Sequence, residues 1–370
     1  MSKSDLVEPN GDRTNATMAQ RPIRASVATA GLPIPSTRSL PTTLSIGASA
    51  LSAVIGKAYL ILVLGSVVVV GALLSPYFLS AANVRSTLIS TSSVMILAVG
   101  QFLVIVTGGI DLSVGSVAAL SSVIVALLLG HGFLLATLAA LGVGALVGLL
   151  NGLTIVYGGI TPFIVTLGTL EIGSGLAYTF QTGDLIQITN NHFILWFTGS
   201  FIGIPSEVLI AFIVTLIAAF LMSGTVFGRN LYAIGGNAEA SRLSGLPVKR
   251  SLVEVYVISG LLAGLAGVII SAQLAEGSAL IGQNYELDAI AAAVVGGASL
   301  FGGTGDPIGA VIGAIVIGAI TDIMDLRGMS SNGQLLVEGL VILVAVFFVS
   351  GKGSSGIRTV IGKVRRSPDL

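Results

Sequence analysis

Apolar and polar positions along this chain do not alternate with the period of a surface helix or a half-buried strand. They form long apolar blocks separated by short polar joints. The blocks fall at about 58–75, 88–107, 113–130, 133–157, 162–181, 206–223, 251–273, 287–300, 307–324 and 334–350. A helix needs about 17–25 residues to cross hydrocarbon, so the pattern predicts an all-α polytopic membrane protein of about ten transmembrane helices. The eighth block is short and broken by glycine. Blocks two and three are parted only by VTGGIDLSVGS at 106–116, which fits either a joint between two spans or the tip of a re-entrant pair.

The flanks differ. Residues 1–55 are rich in Ser, Thr, Pro and Asn and read as a disordered cytoplasmic tail; 56–350 form the transmembrane domain, and 351–370 a cytoplasmic C-terminal tail. Lys and Arg set the orientation, because basic residues stay on the cytoplasmic side. All but Arg85 and Arg327 lie in the N-terminal tail and its junction, in the joint after the sixth block, or in the C-terminal tail. An even number of spans with both termini in the cytoplasm satisfies this distribution.

Composition narrows the class further. Of 370 residues 54% are hydrophobic and 9% charged, with zero formal net charge. Soluble domains carry about 25% charged residues, so lipid is the solvent here. Zero net charge gives no field that would draw nucleic acid. The chain has no cysteine, and its 2 histidines, His131 and His192, lack metal-ligand spacing, so no metal site is expected. No P-loop, paired-carboxylate or Ser–His–acid arrangement is present, and no catalytic residue or bound cofactor is expected.

Two features carry candidate chemistry. The first is Asp111 between apolar blocks, with Gly108, Gly109 and Gly115 around it. An acid at bilayer depth is costly and faces a cavity or a partner. Broken backbone is tolerated there only under protein or water cover. Asp111 is expected to organise the break by capping amides near Ser113 and Gly115. The second is the long inner loop, 225–250. Residues 237–245 read as a short helix, with Asn237 as N-cap, Glu239 at the positive dipole end and Gly245 terminating it. It has the shape of a docking element, an ordinary connecting loop being the alternative. Acids at Glu171, Asp288, Asp322, Asp325 and Glu338 leave an ion-coupled transporter as a rival reading. Gly144-x3-Gly148-x3-Gly152, Gly260-x3-Gly264 and Gly309-x3-Gly313 predict close helix packing within the bundle. Phe193, Trp196, Phe197 and Phe201 mark an amphipathic segment at the outer interface.

These motifs resemble the permease subunits of ribose-type bacterial ABC sugar importers. TGGIDLSVGSVAAL (107–120), NGLTIVYGGITPFIVTLGTL (151–170), GRNLYAIGGNAEASRLSGLPV (228–248) and LDAIAAAVVGGASLFGGTGDPIGAVIGA (287–314) occur in that family's order. The resemblance implies an inner-membrane sugar permease, working as one of two copies, homo- or heterodimeric, with a cytoplasmic ATPase that binds the ATP and a periplasmic sugar-binding protein. It makes Gly235, Gly236, Asn237, Glu239, Ala240, Leu243 and Gly245 the ATPase-coupling element. The broken regions at Gly108, Gly109, Asp111, Ser113 and Gly115, and at Gly296, Gly297, Gly302 and Gly303, are then expected to flank the translocation path. Related permeases for branched-chain amino acids, nucleosides or a signalling furanose share these features.

Overall fold

The structure, a computed structural model, describes residues 43–349. Residues 1–42 and 350–370, with most of the expected N-terminal tail and all of the C-terminal one, lie outside the described residues. Helix α1 (Thr43–Leu74) begins inside the segment read as tail, so 43–55 are helical; its apolar part is Tyr59–Leu74.

The apolar blocks become helices with local start signals. In α2 (Ala81–Val106) the Ser80 hydroxyl accepts from the Asn83 amide at 3.3 Å. Next come α3 (Val114–Leu128), prolonged by a 3-10 turn to His131, and α4 (Phe133–Gly158). Helix α5 (Pro162–Gln181) opens on a proline, whose missing N–H is an orphan at that position anyway. After β1 (Ile186–Gln187) follow α6 (Asn191–Thr198), a hairpin of β2 (Ser200–Phe201) with β3 (Ile204–Pro205), and α7 (Ser206–Gly224). Helices α8 (Val226–Gly236) and α9 (Ala238–Leu243) precede α10 (Val248–Leu274) and β4 (Glu276–Gly277). The chain continues with α11 (Tyr285–Val295), α12 (Pro307–Leu326) and α13 (Ser331–Val349). Among the described residues 7 helices are long and apolar enough to cross a membrane: α2, α3 with its last turn, α4, α5, α7, α10 and α12. The short eighth block is α11.

Helices α2, α3 and α10 form the centre. Every α2 residue from Thr91 to Val106 is buried. Around them α4, α5 and α7 turn Leu138, Leu146, Phe163, Phe212 and Phe220 outward. An apolar surface of that extent is stable only against lipid or another protein.

Glycine decides how closely the helices approach. A Cβ at Gly144 would overlap the Gly260 carbonyl, one at Gly148 the Tyr256 carbonyl, and one at Gly260 the Gly144 carbonyl. The two glycine motifs of α4 and α10 therefore pack against each other within one chain. The third motif does the same between α12 and α11: Cβ atoms at Gly309 and Gly313 would strike the Gly296 and Ala292 carbonyls.

Short contacts identify the two ends of the bundle. At one end β1 pairs antiparallel with β4, clipping the C-terminal end of α5 to that of α10. The opposite end carries α8 and α9. Beside the clip, α6 starts where the Asn190 side chain accepts from the Phe193 amide at 3.1 Å. It buries Phe193 and Phe197 against Phe133, with ring centroids 6.1 Å apart in each pair, and leaves Leu195 and Trp196 exposed. This is the amphipathic segment the aromatic spacing implied.

Candidate functional site: a backbone junction, a buried acid and a polar cleft

At the α8 end the chain leaves helical geometry because it can. Gly108 has φ +82°, and Gly302 and Gly303 have φ +84° and +77°, a region open to glycine at no steric cost. The Gly303 amide donates to the Val106 carbonyl at 2.8 Å, joining the end of α2 to the loop between α11 and α12. Gly235, one residue from the end of α8, lies directly on that bond. A Cβ there would overlap the Val106 carbonyl and sit 2.5 Å from the Gly303 nitrogen. A second tie runs from the Tyr232 hydroxyl, which donates to the Gly305 carbonyl at 2.9 Å. Three distant segments thus meet through backbone with no side chain between them.

Beyond the junction α9 projects outward. Asn237 caps it, accepting from the Ala240 amide at 2.9 Å, and Gly245 ends it at φ +80°. Ala238, Glu239, Ala240, Arg242 and Leu243 are exposed. Arg242 donates to both carboxylate oxygens of Glu239, at 3.0 and 2.6 Å, and holds that carboxyl below its ordinary range. Of the residues expected to couple, Gly235 is in the junction, Gly236 leads to the helix, and Asn237, Glu239, Ala240, Leu243 and Gly245 build it.

Asp111 lies in the α2–α3 joint and is buried. One carboxylate oxygen accepts from the Ser113 amide at 3.0 Å and the Ser113 hydroxyl at 2.6 Å; the other accepts from Ser259 of α10 at 2.8 Å. The Ser113 hydroxyl accepts in turn from Asn151 of α4 at 2.9 Å, and Thr169 of α5 donates to Asn151 at 2.6 Å. The Gln101 amide, in the orientation that satisfies both its polar atoms, bridges the backbone N–H and C=O of Asp111 at 3.3 and 3.0 Å. The acid thus ties the joint to α3, α4, α5 and α10; the Gly115 amide is not among its donors. A buried polar network is stable only when its members are satisfied in this way.

A cleft of about 180 Å³ opens elsewhere. Between β4 and α11 the chain is largely non-helical and lies along α3. The Ser122 hydroxyl bonds the Ser278 carbonyl at 3.2 Å and its amide at 3.3 Å. Further along, Gly282 (φ +74°) sits so close to Gly115 that a Cβ on Gly115 would meet the Gly282 carbonyl at 2.6 Å and overlap the Glu286 carboxylate. Ser116, Ser174, Tyr178, Gln283, Asn284 and Glu286 face the cleft. Gln283 also borders a cavity toward the β1–β4 clip, and one between α2, α11, α12 and α13 lined by Asp288, Asp322, Asp325 and Glu338. None of the three is lined by Lys, Arg or His.

Of the residues expected to flank the path, only Gly115 lines one of these cavities. Gly108, Gly302 and Gly303 belong to the junction, Gly109 and Ser113 to the Asp111 joint, and Gly296 to the α11–α12 contact. Gly297, at φ +92°, turns the chain out of α11. The apolar blocks had no feature that marks Ser174, Tyr178 or Asn284 apart from ordinary polar helix and turn residues. The one local signal was the interruption before the eighth block.

A profile of the family described as "branched-chain amino acid transport system / permease component" matches residues 83–346. The chain is 38% identical over 283 residues to the D-allose transport system permease protein AlsC of Escherichia coli K12, covering 76% of this chain and 87% of that one. It is 41% identical over 283 residues to the ribose import permease protein RbsC of Bacillus subtilis 168 (75% and 88%). It is 42% identical over 279 residues to the ribose import permease protein RbsC of Escherichia coli K12 (74% and 87%). No solved structure matches the chain. The match runs from the start of α2 into α13 and so takes in the junction, the Asp111 joint and the cleft. The chain is a multi-pass membrane protein and not an enzyme, and it belongs to the family of branched-chain amino acid transport system / permease components.

Proposed function

We propose that this chain is the membrane-spanning permease subunit of an ABC importer for a monosaccharide or related polyol. A separate cytoplasmic ATPase drives it, and a periplasmic binding protein feeds it. It works in the bacterial inner membrane beside a second permease copy. The chain supplies the path, and nucleotide chemistry belongs to the ATPase, so the permease carries no cofactor of its own. Helix α9 is the surface the ATPase grips. ATPase closure pushes on α9, and the junction at Gly235 passes the displacement to the end of α2 and the α11–α12 loop together. Packed helices moving as rigid bodies turn such a push into alternating access. Asp111 keeps the α2–α3 joint stiff rather than touching sugar. Ten spans, adding α1, α11 and α13 to the seven, place both termini and α9 in the cytoplasm, in keeping with the basic residues.

The observation that carries this reading is Gly235 seated on the Gly303–Val106 bond. The relatives named for D-allose and ribose support a sugar as cargo. The family description raises a branched-chain amino acid instead. A zwitterion's carboxylate wants a cationic or multiple N–H partner, and the cation-free cavities favour a neutral polyol. The test is radiolabelled D-ribose, D-allose and L-arabinose uptake by cells expressing the whole importer. Glu239→Lys and Gly235→Val are expected to abolish uptake while the permease reaches the membrane at its normal level. Normal uptake by both variants contradicts the coupling role, and import of leucine in place of sugar contradicts the cargo.

A further inference from the structure

We propose that the cleft between α3, α5 and the turn leading into α11 is the permease's own sugar subsite, a weak station on the path, built by Ser174, Tyr178, Gln283, Asn284 and Glu286. This rests on the sugar-permease reading and names where in the chain the cargo is held.

Unspent polar groups argue for it. Neighbouring hydroxyls of α3 and α5 are occupied: Thr166, Thr169 and Thr179 of α5 bond carbonyls one turn back, and Ser116 bonds the Ser113 carbonyl. The side chains of Ser174, Tyr178, Gln283 and Asn284 make no hydrogen bond to another residue among the described residues, and all four line one cleft. Tyr178, Gln283 and Asn284 are exposed and Ser174 is half-buried, so these groups stand open along one concave wall, where convergent polar groups can take up a hydroxylated ligand. Asn284 adds a second indication. It stands at the start of α11 with φ +67°, yet its side chain does not cap the helix. Asparagine adopts that left-handed region more readily than most residues, and with no capping bond its amide is left free at the cleft.

The chemistry fits a neutral polyol. Hydroxyl and amide groups both donate and accept, as sugar hydroxyls do. Glu286 adds carboxyl oxygens that can accept, and no Lys, Arg or His lines the cleft for a phosphate or carboxylate. Ser174 and Tyr178 are four residues apart on α5 and so share a face, which sets the phenol ring beside the hydroxyl to cover the apolar side of a sugar ring. At ~30 Å³ per water, the cleft holds roughly six waters, room for one monosaccharide. Gln283 also borders the cavity at the β1–β4 clip and the one beside the start of α2 and the end of α12, so the cleft adjoins two further spaces toward the end of the bundle away from α9.

The chain has no cysteine, so a single substitution creates a unique label. Ser174→Cys, nearly isosteric, is placed in the full importer and treated in membranes with a hydrophilic methanethiosulfonate reagent, with and without D-ribose, D-allose or L-arabinose. Ser330→Cys, in the exposed turn before α13 and outside all three cavities, is the control. At a sugar concentration about twice the dissociation constant, occupancy slows labelling about threefold. The expected result is that slowing at Ser174→Cys for a transported sugar and none at Ser330→Cys. Tyr178→Phe, which keeps the ring, should raise the KM for uptake with little change in kcat. The proposal is overturned if Ser174→Cys does not react, or if no sugar slows it, in an importer whose parent chain transports that sugar. A parent chain that transports none of the three sugars overturns the sugar-permease reading instead.

Discussion

Replacing Asp111 measures how much of the fold depends on one buried carboxylate. Its oxygens receive three donors: the Ser113 amide, the Ser113 hydroxyl and the Ser259 hydroxyl. Asp111→Ala removes all the acceptors, but the donors do not lose equally. Ser259 lies inside α10 and can rotate to bond the carbonyl one turn back, as helical serines do. The Ser113 hydroxyl also accepts from Asn151 and can reorient its proton. The Ser113 amide is fixed in the backbone and has nowhere to turn. An unsatisfied buried donor costs about 1–3 kcal/mol, and the two hydroxyls add a fraction of that each, so Asp111→Ala should lose about 2–4 kcal/mol. Asp111→Asn keeps one acceptor for the Ser113 amide and presents an NH2 to Ser259, whose oxygen can accept; its loss should be about half as large. The assay is thermal unfolding of the detergent-solubilised permease followed by size-exclusion fluorescence, with uptake measured in parallel. The order should be wild type, Asn, Ala. An Ala variant as stable as wild type, or an Asn variant worse than Ala, refutes the bonding scheme.

Other substitutions test other parts of the account. Gly148→Val puts side-chain atoms where the Tyr256 carbonyl stands, so α4 and α10 must separate; the chain should fail to accumulate as monodisperse protein, whereas Gly142→Val, with nothing within 4 Å, should accumulate normally. The Tyr256 hydroxyl is buried with no hydrogen-bond partner among the described residues, so Tyr256→Phe should leave the melting midpoint unchanged or raise it, and a clear fall would reveal a partner such as bound water. Arg242 lowers the Glu239 carboxyl, so the α9 ion pair is intact above that group's ordinary pKa and is lost as pH falls through the lowered value. ATP-driven uptake should therefore show no step attributable to this pair between about pH 6 and 8; a step in that range that Glu239→Gln abolishes would contradict it.

Much of the bundle was legible because membrane spans obey a one-dimensional rule. The blocks at 133–157, 162–181 and 206–223 differ from α4, α5 and α7 by at most a residue at an end. Helix α9 was legible through its cap, since Asn237 and Gly245 act locally. Asp111 was conspicuous because a charge in an apolar stretch is rare, but its partners Asn151 and Ser259 come from other helices and no local pattern points to them. The cleft was hidden for a similar reason. Ser174 and Tyr178 resemble any polar residue on an apolar helix until the segment before α11 is seen lying along α3. The glycines at 296–305 were conspicuous but serve packing and the junction rather than the cavities. The helix over 43–55 went unread because that stretch has few large apolar residues.

The central claim is that this chain is a passive conduit whose power comes from a partner that grips α9. Purified permease reconstituted into vesicles is the most direct measurement. With its ATPase, its binding protein and ATP supplied on the proper sides, the vesicles should accumulate sugar above the external concentration, and with the permease alone they should not. Concentrative uptake by the permease alone, or none with the full set of partners in vesicles that hydrolyse ATP, would contradict the account.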